Sequence, residues 1–269
     1  VNNQHATIPS DRLSIVSALI ILNYALMPFI YTSPTPLHFS LFGLVFDWRI
    51  KYADLLVLSA ALFAAIGTYW LLYDHPNLNK QATFIHLVLP TLTAGAMSIP
   101  LNVISIGIAW WVMFAFGSIL IILTLIAEYY SINPHSSLFA MARIILIPLA
   151  IALFLLLSIS SRSAGYRLYL QVLLLGTLFT GIFTRLLALS DIYEKKKAIL
   201  ASALLFMQAL VACHYLPLRS VPFGMVLSGC VAFLTSLPFT QEPSKNIPHT
   251  VRDAAWYALP FFVGALFFL

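Results

Sequence analysis

The sequence predicts an all-α polytopic membrane bundle of about eight to nine transmembrane helices. Three observations predict it. The 269 residues are 61% hydrophobic and only 9% charged, with mean hydropathy +0.94. A soluble domain carries about a quarter charged residues, so a chain this poor in charge cannot cover its own surface with polar groups. The apolar residues also fall in runs of the ~20 residues that a helix needs to cross a hydrocarbon layer. Finally, the charges collect near the ends of those runs. In lipid each backbone polar group must be paired within its own segment, which favours helices.

The clearest element is a helical hairpin over residues 165–216, two apolar runs flanking a charged turn with Lys195, Lys196 and Lys197. The other elements repeat that pattern. Residues 1–12 are polar, with Ser10 or Asp11 placed to cap a first span over 13–31. Residues 33–52 are broken by Pro34 and Pro36 and mix aromatics with His38, Asp47, Arg49 and Lys51. They are too polar to span, and are expected to lie in the interface plane or form a plain loop. A second span over 53–73 has Trp48 and Tyr52 before it and Tyr69, Trp70 and Tyr73 at its close, an aromatic belt at both ends.

A short third span covers 82–99, and Pro100, Leu101 and Asn102 are expected to turn the chain. A fourth, over 103–130, is long enough to imply tilt, with Trp110 and Trp111 well inside it. The fifth covers 138–159, the sixth and seventh are the hairpin, the eighth covers 221–239 and the last 254–269. One compact transmembrane domain with no soluble domain is expected.

The formal charge is +5, from 14 Lys and Arg against 9 Asp and Glu. Scattered singly on short loops, these cations report topology and anionic headgroups rather than nucleic acid. With nine spans, one face collects Arg12, Lys80, Lys195, Lys196, Lys197, Lys245 and Arg252. That bias favours a cytoplasmic N-terminus. The first apolar run lacks a cleavage-site pattern and is expected to stay as an anchor. Cys213 and Cys230 lie inside apolar runs and read as small buried hydrophobes.

Few residues are candidates for chemistry. Gly176, Thr180 and Thr184 recur at i, i+4, i+8, and so do Thr177, Gly181 and Arg185, which makes a small-residue face for helix packing. Arg185 is expected to snorkel toward the interface, and Arg143 to reach headgroups or pair with Glu128. Asp54 reads as a helix-start carboxylate favoured by the dipole. His86 and His214, near span ends, are the weak candidates for holding a haem or pigment, and each stands alone in the sequence. No metal site is expected, and no cofactor is called for beyond lipid or pigment between spans.

The sequence has no Gly-rich phosphate loop, no paired intramembrane carboxylates and no Gly-x-Ser-x-Gly elbow. Residues 86–101 (HLVLPTLTAGAMSIPL) and 209–234 (ALVACHYLPLRSVPFGMVLSGCVAFL) resemble motifs of an uncharacterised family of bacterial multi-spanning proteins, with apparent cover over the second half of the chain. That resemblance implies a polytopic fold and carries over no activity to any residue. The first functional expectation is a non-catalytic integral membrane subunit or scaffold that packs against partner membrane proteins. A transporter for a small or hydrophobic solute is the second, from the Pro- and Gly-broken third and eighth spans. A membrane enzyme using Glu128, Arg143 and His86 or His214 is the third.

Overall fold

A computed structural model describes residues 8–30, 35–41, 44–50, 52–76, 78, 83–134, 136–189, 195–239 and 247–268. Nine α-helices run through them: α1 (Ser10–Leu26), α2 (Tyr52–Leu72), α3 (Thr83–Val103), α4 (Ile108–Tyr130), α5 (Phe139–Ser163), α6 (Leu168–Ala188), α7 (Lys195–Tyr215), α8 (Ser220–Phe239) and α9 (Ile247–Phe267). Eight of them, α1 to α8, are long and apolar enough to cross a membrane. The ninth carries Arg252 and Asp253 in its first half. The polytopic helical bundle is therefore what the apolar runs dictate.

The junction of the third and fourth spans differs from the sequence expectation. Pro100 does not turn the chain; it lies inside α3, which continues to Val103. The Pro100 carbonyl accepts from the Ile104 amide at 2.9 Å, so the helix gains one more bond past the ring. In consequence α4 starts at Ile108 and is 23 residues long, not an over-long span. Trp110 and Trp111 then fall in its first turn rather than mid-span. Trp110 is buried and its indole N–H donates to the Leu101 carbonyl at 3.1 Å, satisfying one of the carbonyls left open at the end of α3.

Residues 33–52 hold a finding of another kind. Strand β1 (Thr35–Leu41) pairs antiparallel with β2 (Leu44–Ile50). The register alternates apolar pairs, Leu37 with Trp48 and Phe39 with Phe46, with pairs that carry a charged residue, Pro36 with Arg49 and His38 with Asp47. Every described residue of that segment except Tyr52 lies in this hairpin, so the expected interfacial segment or plain loop is replaced there by strand pairing. Lys195 to Lys197 are likewise not the tip of a loop; they form the first turn of α7, with Lys196 and Lys197 exposed.

The chain divides into two compact units, Val1–Ala142 and Arg143–Leu269. In the first, α1 to α4 bury Val16, Ile20 and Tyr24 against Ala60, Ala64, Met97, Ile121 and Leu125. Small residues set the helix spacing. Gly67 of α2 lies against Val16, where an added Cβ would come within 2.9 Å of Val16 Cγ2. Gly117 of α4 lies against Met97 more loosely, where an added Cβ would sit 3.3 Å from Met97 Cε. Polar ties span the helices: Asn23 Nδ2 donates to Ser59 Oγ at 2.6 Å, and the Tyr24 hydroxyl to the Ala94 carbonyl at 3.2 Å.

In the second unit an aromatic cluster joins α5, α6 and α7. Phe179 stacks on Phe206 with centroids 4.3 Å apart, and Phe154 meets Phe206 edge-on at 5.6 Å. Gly176 of α6 lies against Met207 of α7. Gly224 of α8 lies against α5, where an added Cβ would sit 2.5 Å from Ile159 Cγ1 and 3.3 Å from the Leu155 carbonyl oxygen. Gly229 lies against Phe261 and Phe262 of α9.

Candidate functional site

The most deeply buried acidic group among the described residues is Glu128, in the last turn of α4, with no exposed surface. Its Oε2 lies 3.0 Å from Nδ1 of His86, near the start of α3, whose side chain is 13% exposed. An antiparallel α3–α4 pair brings the start of one helix level with the end of the next, and this geometry makes the contact. Ser131, one turn on, donates its hydroxyl to the Glu128 carbonyl at 2.8 Å. The same hydroxyl is 3.4 Å from Oε2. The loop after α2 adds His75, buried and edge-on to Tyr129 with ring centroids 4.8 Å apart. Burial holds the His75 pKa below its ordinary value, and the charge of His86 lowers it further.

Arg12 closes this end of the unit. It reaches from α1 to Asp74, donates to the Trp70 carbonyl at 2.9 Å and lies over the Trp70 ring at 5.3 Å. The first unit thus gathers an imidazole, a carboxylate and a hydroxyl at one helix-pair end, with a second imidazole beside them. Such a group can share or hold a proton between His86 and Glu128. Among the described residues no three His, Cys, Asp or Glu side chains converge on a point where a metal ion would sit.

His214 is also not alone. It lies in the last turn of α7, and its Nδ1 is 2.9 Å from Oε1 of Gln171 in the first turn of α6. Arg162, in the last turn of α5, approaches the same nitrogen at 3.5 Å and lies over the Phe223 ring at 5.0 Å.

The other sequence candidates divide. Gly176 is a packing residue, pressed on Met207. Thr177, Thr180 and Thr184 donate to carbonyls of their own helix, to Leu173 at 2.7 Å, Gly176 at 2.8 Å and Thr180 at 2.7 Å. Thr177 is exposed, while Thr180, Gly181 and Thr184 are half-buried. Arg185 was expected to snorkel but is 1% exposed, the largest fully buried side chain among the described residues. Arg143 is half-buried in the second turn of α5, and Asp54 is exposed in the first turn of α2. His75, Gln171 and Arg162 were not among the sequence candidates for a site. Gln171 carried a signal, an amide inside an apolar run.

No curated protein and no solved structure matches the chain. A family model does match, over residues 32–267, well beyond the second-half cover of the resemblance noted above. The chain belongs to the family described as Protein of unknown function (DUF5656).

Proposed function

We propose that the chain is a non-catalytic integral membrane subunit or scaffold of the bacterial cytoplasmic membrane, with its N-terminus cytoplasmic. It packs against partner membrane proteins and holds lipid between its helices. One observation carries this reading: the polar groups buried within each unit act as struts. His86 is tied to Glu128 and His214 to Gln171, while the α6 threonines bond their own helix. Large side chains such as Leu58, Ile119, Leu173 and Leu204 stay exposed on the outer faces, available to lipid or to a partner.

The test is native purification in mild detergent from the source membrane, read by mass spectrometry. A stoichiometric complex with another membrane protein is expected; a lone monodisperse monomer overturns the reading. An absorption spectrum of the same sample reports any pigment. A second reading, a carrier for a small solute, is favoured by the sealed His86–Glu128 pair at the end of the Pro90- and Pro100-containing α3. Proton-coupled uptake into proteoliposomes that is lost in Glu128→Gln would support it over the first.

A further inference from the structure

The end of the second unit where α5 closes, α6 opens and α7 turns into α8 is cationic and under-satisfied. Arg162 donates there to the carbonyls of His214 at 3.5 Å, Leu216 at 3.4 Å and Leu218 at 3.5 Å. Each is well beyond the roughly 2.7–2.9 Å of a charge-assisted hydrogen bond. Besides the Phe223 ring at 5.0 Å, its remaining neighbour, Nδ1 of His214, is committed at 2.9 Å to Gln171 Oε1. In that bond the imidazole must donate, so the same nitrogen cannot accept from the guanidinium.

The Gln171 side chain is fully buried, yet its Nε2 has no acceptor. Arg167 precedes α6 as its N-cap and Arg219 precedes α8, its carbonyl accepting from the Phe223 amide at 3.1 Å. No side chain caps α6, so its positive dipole end faces the same region. Residues 129–190 and 195–241 contain no Asp or Glu. Among the described residues none of the three arginines has a carboxylate partner. Tyr166, Tyr169 and Tyr215 are exposed around this end, side chains that favour headgroup depth.

We propose that this end of the second unit binds a phosphate-bearing anion, supplied by an anionic membrane lipid, with Arg162 and the Gln171 amide as donors and Arg167 and Arg219 around them. A phosphate oxygen provides the acceptor that Gln171 Nε2 lacks and the short, in-plane partner that the guanidinium lacks. The site goes beyond the subunit reading and shares with it only the placement in a membrane.

The test uses the full chain in phosphatidylcholine nanodiscs with phosphatidylglycerol added, bound lipids being counted by native mass spectrometry. One phosphatidylglycerol should be retained in preference to phosphatidylcholine by about tenfold, and Arg162→Gln should remove that preference. Because Arg162 also holds the α7–α8 turn, the exposed pair Arg167→Gln/Arg219→Gln serves as a second variant. It should weaken retention about fivefold per charge. Displacement of the lipid by millimolar inorganic phosphate would make free phosphate the ligand of the same site; resistance to it makes the lipid the ligand. Equal retention of the two lipids, or unchanged preference in both folded variants, overturns the proposal. Protein partners appear as separate masses in the native preparation, so loss of lipid preference and loss of a partner are read independently.

Discussion

Breaking the His86–Glu128 contact should uncouple the α3–α4 pair by an amount that the geometry bounds. The two atoms are 3.0 Å apart, Glu128 is fully buried and His86 nearly so. A hydrogen bond between membrane helices is worth about 0.6 kcal/mol on average and up to about 1.7. One made to a charged group is worth about 1.5–3. Full burial puts this pair near the upper bound of the first range, so a coupling of about 1–2 kcal/mol is expected. Single substitutions overstate it, because Glu128→Ala also removes the contact from Ser131 and His86→Ala takes one donor from a buried carboxyl. A double-mutant cycle of Glu128→Ala with His86→Ala isolates the pair. The assay is unfolding of the purified protein in mixed micelles with increasing SDS, followed by tryptophan fluorescence. Additivity of the two substitutions within about 0.3 kcal/mol would refute the strut, since contacting groups that share a bond do not add.

The glycine contacts make a ranked prediction. Gly224→Ala drives its Cβ against Ile159 and the Leu155 carbonyl, and the backbone cannot yield; a loss of about 1–3 kcal/mol is expected in the same unfolding assay. Gly176→Ala meets only the flexible end of Met207 and gains helix propensity, so it should cost less than Gly224→Ala; the reverse order would be wrong for this packing. For His75, the folded pKa is depressed, so protons bind the unfolded chain more readily. The stability it contributes is complete above the unfolded value and is lost as pH falls through the folded one. The thermal midpoint should therefore drop as pH falls through and below the ordinary imidazole range, and drop less in His75→Gln; equal slopes would contradict this. Trp110→Phe should cost about 1–3 kcal/mol by leaving the buried Leu101 carbonyl without its donor, while Trp111→Phe on the exposed face stays within about 0.5.

The existence of the helices was legible because lipid imposes length and apolarity on each span, and both are read along the chain. Their ends were less so. Residues 104–107 separate the two helices although three of the four are apolar or glycine, and the Trp110 bond to Leu101 ties the start of α4 to the end of α3 across them. The β1–β2 hairpin was written in the period-two alternation of residues 37–41 and 44–50, which a search for long apolar runs passes over. The two polar clusters needed topology as well as sequence. His86 and Glu128 are 42 residues apart, and Gln171 and His214 are 43. In each case one residue opens a helix and the other closes the next, so an antiparallel hairpin sets them at one depth. Arg185 went the other way from its expectation because position near a helix end does not tell which face points inward. Its face of α6 also carries Ile182 and Leu178, both buried.

The placement of the outward faces in hydrocarbon is tested most directly by spin labels at Leu58 of α2 and Leu204 of α7, both more than half exposed. The labels go onto single cysteines in a background lacking Cys213 and Cys230, in reconstituted bilayers. Power-saturation electron paramagnetic resonance should show collisions with oxygen exceeding those with a water-soluble nickel chelate at both sites. Nickel collisions exceeding oxygen at either site would mean that this face meets water, and the membrane account would fail.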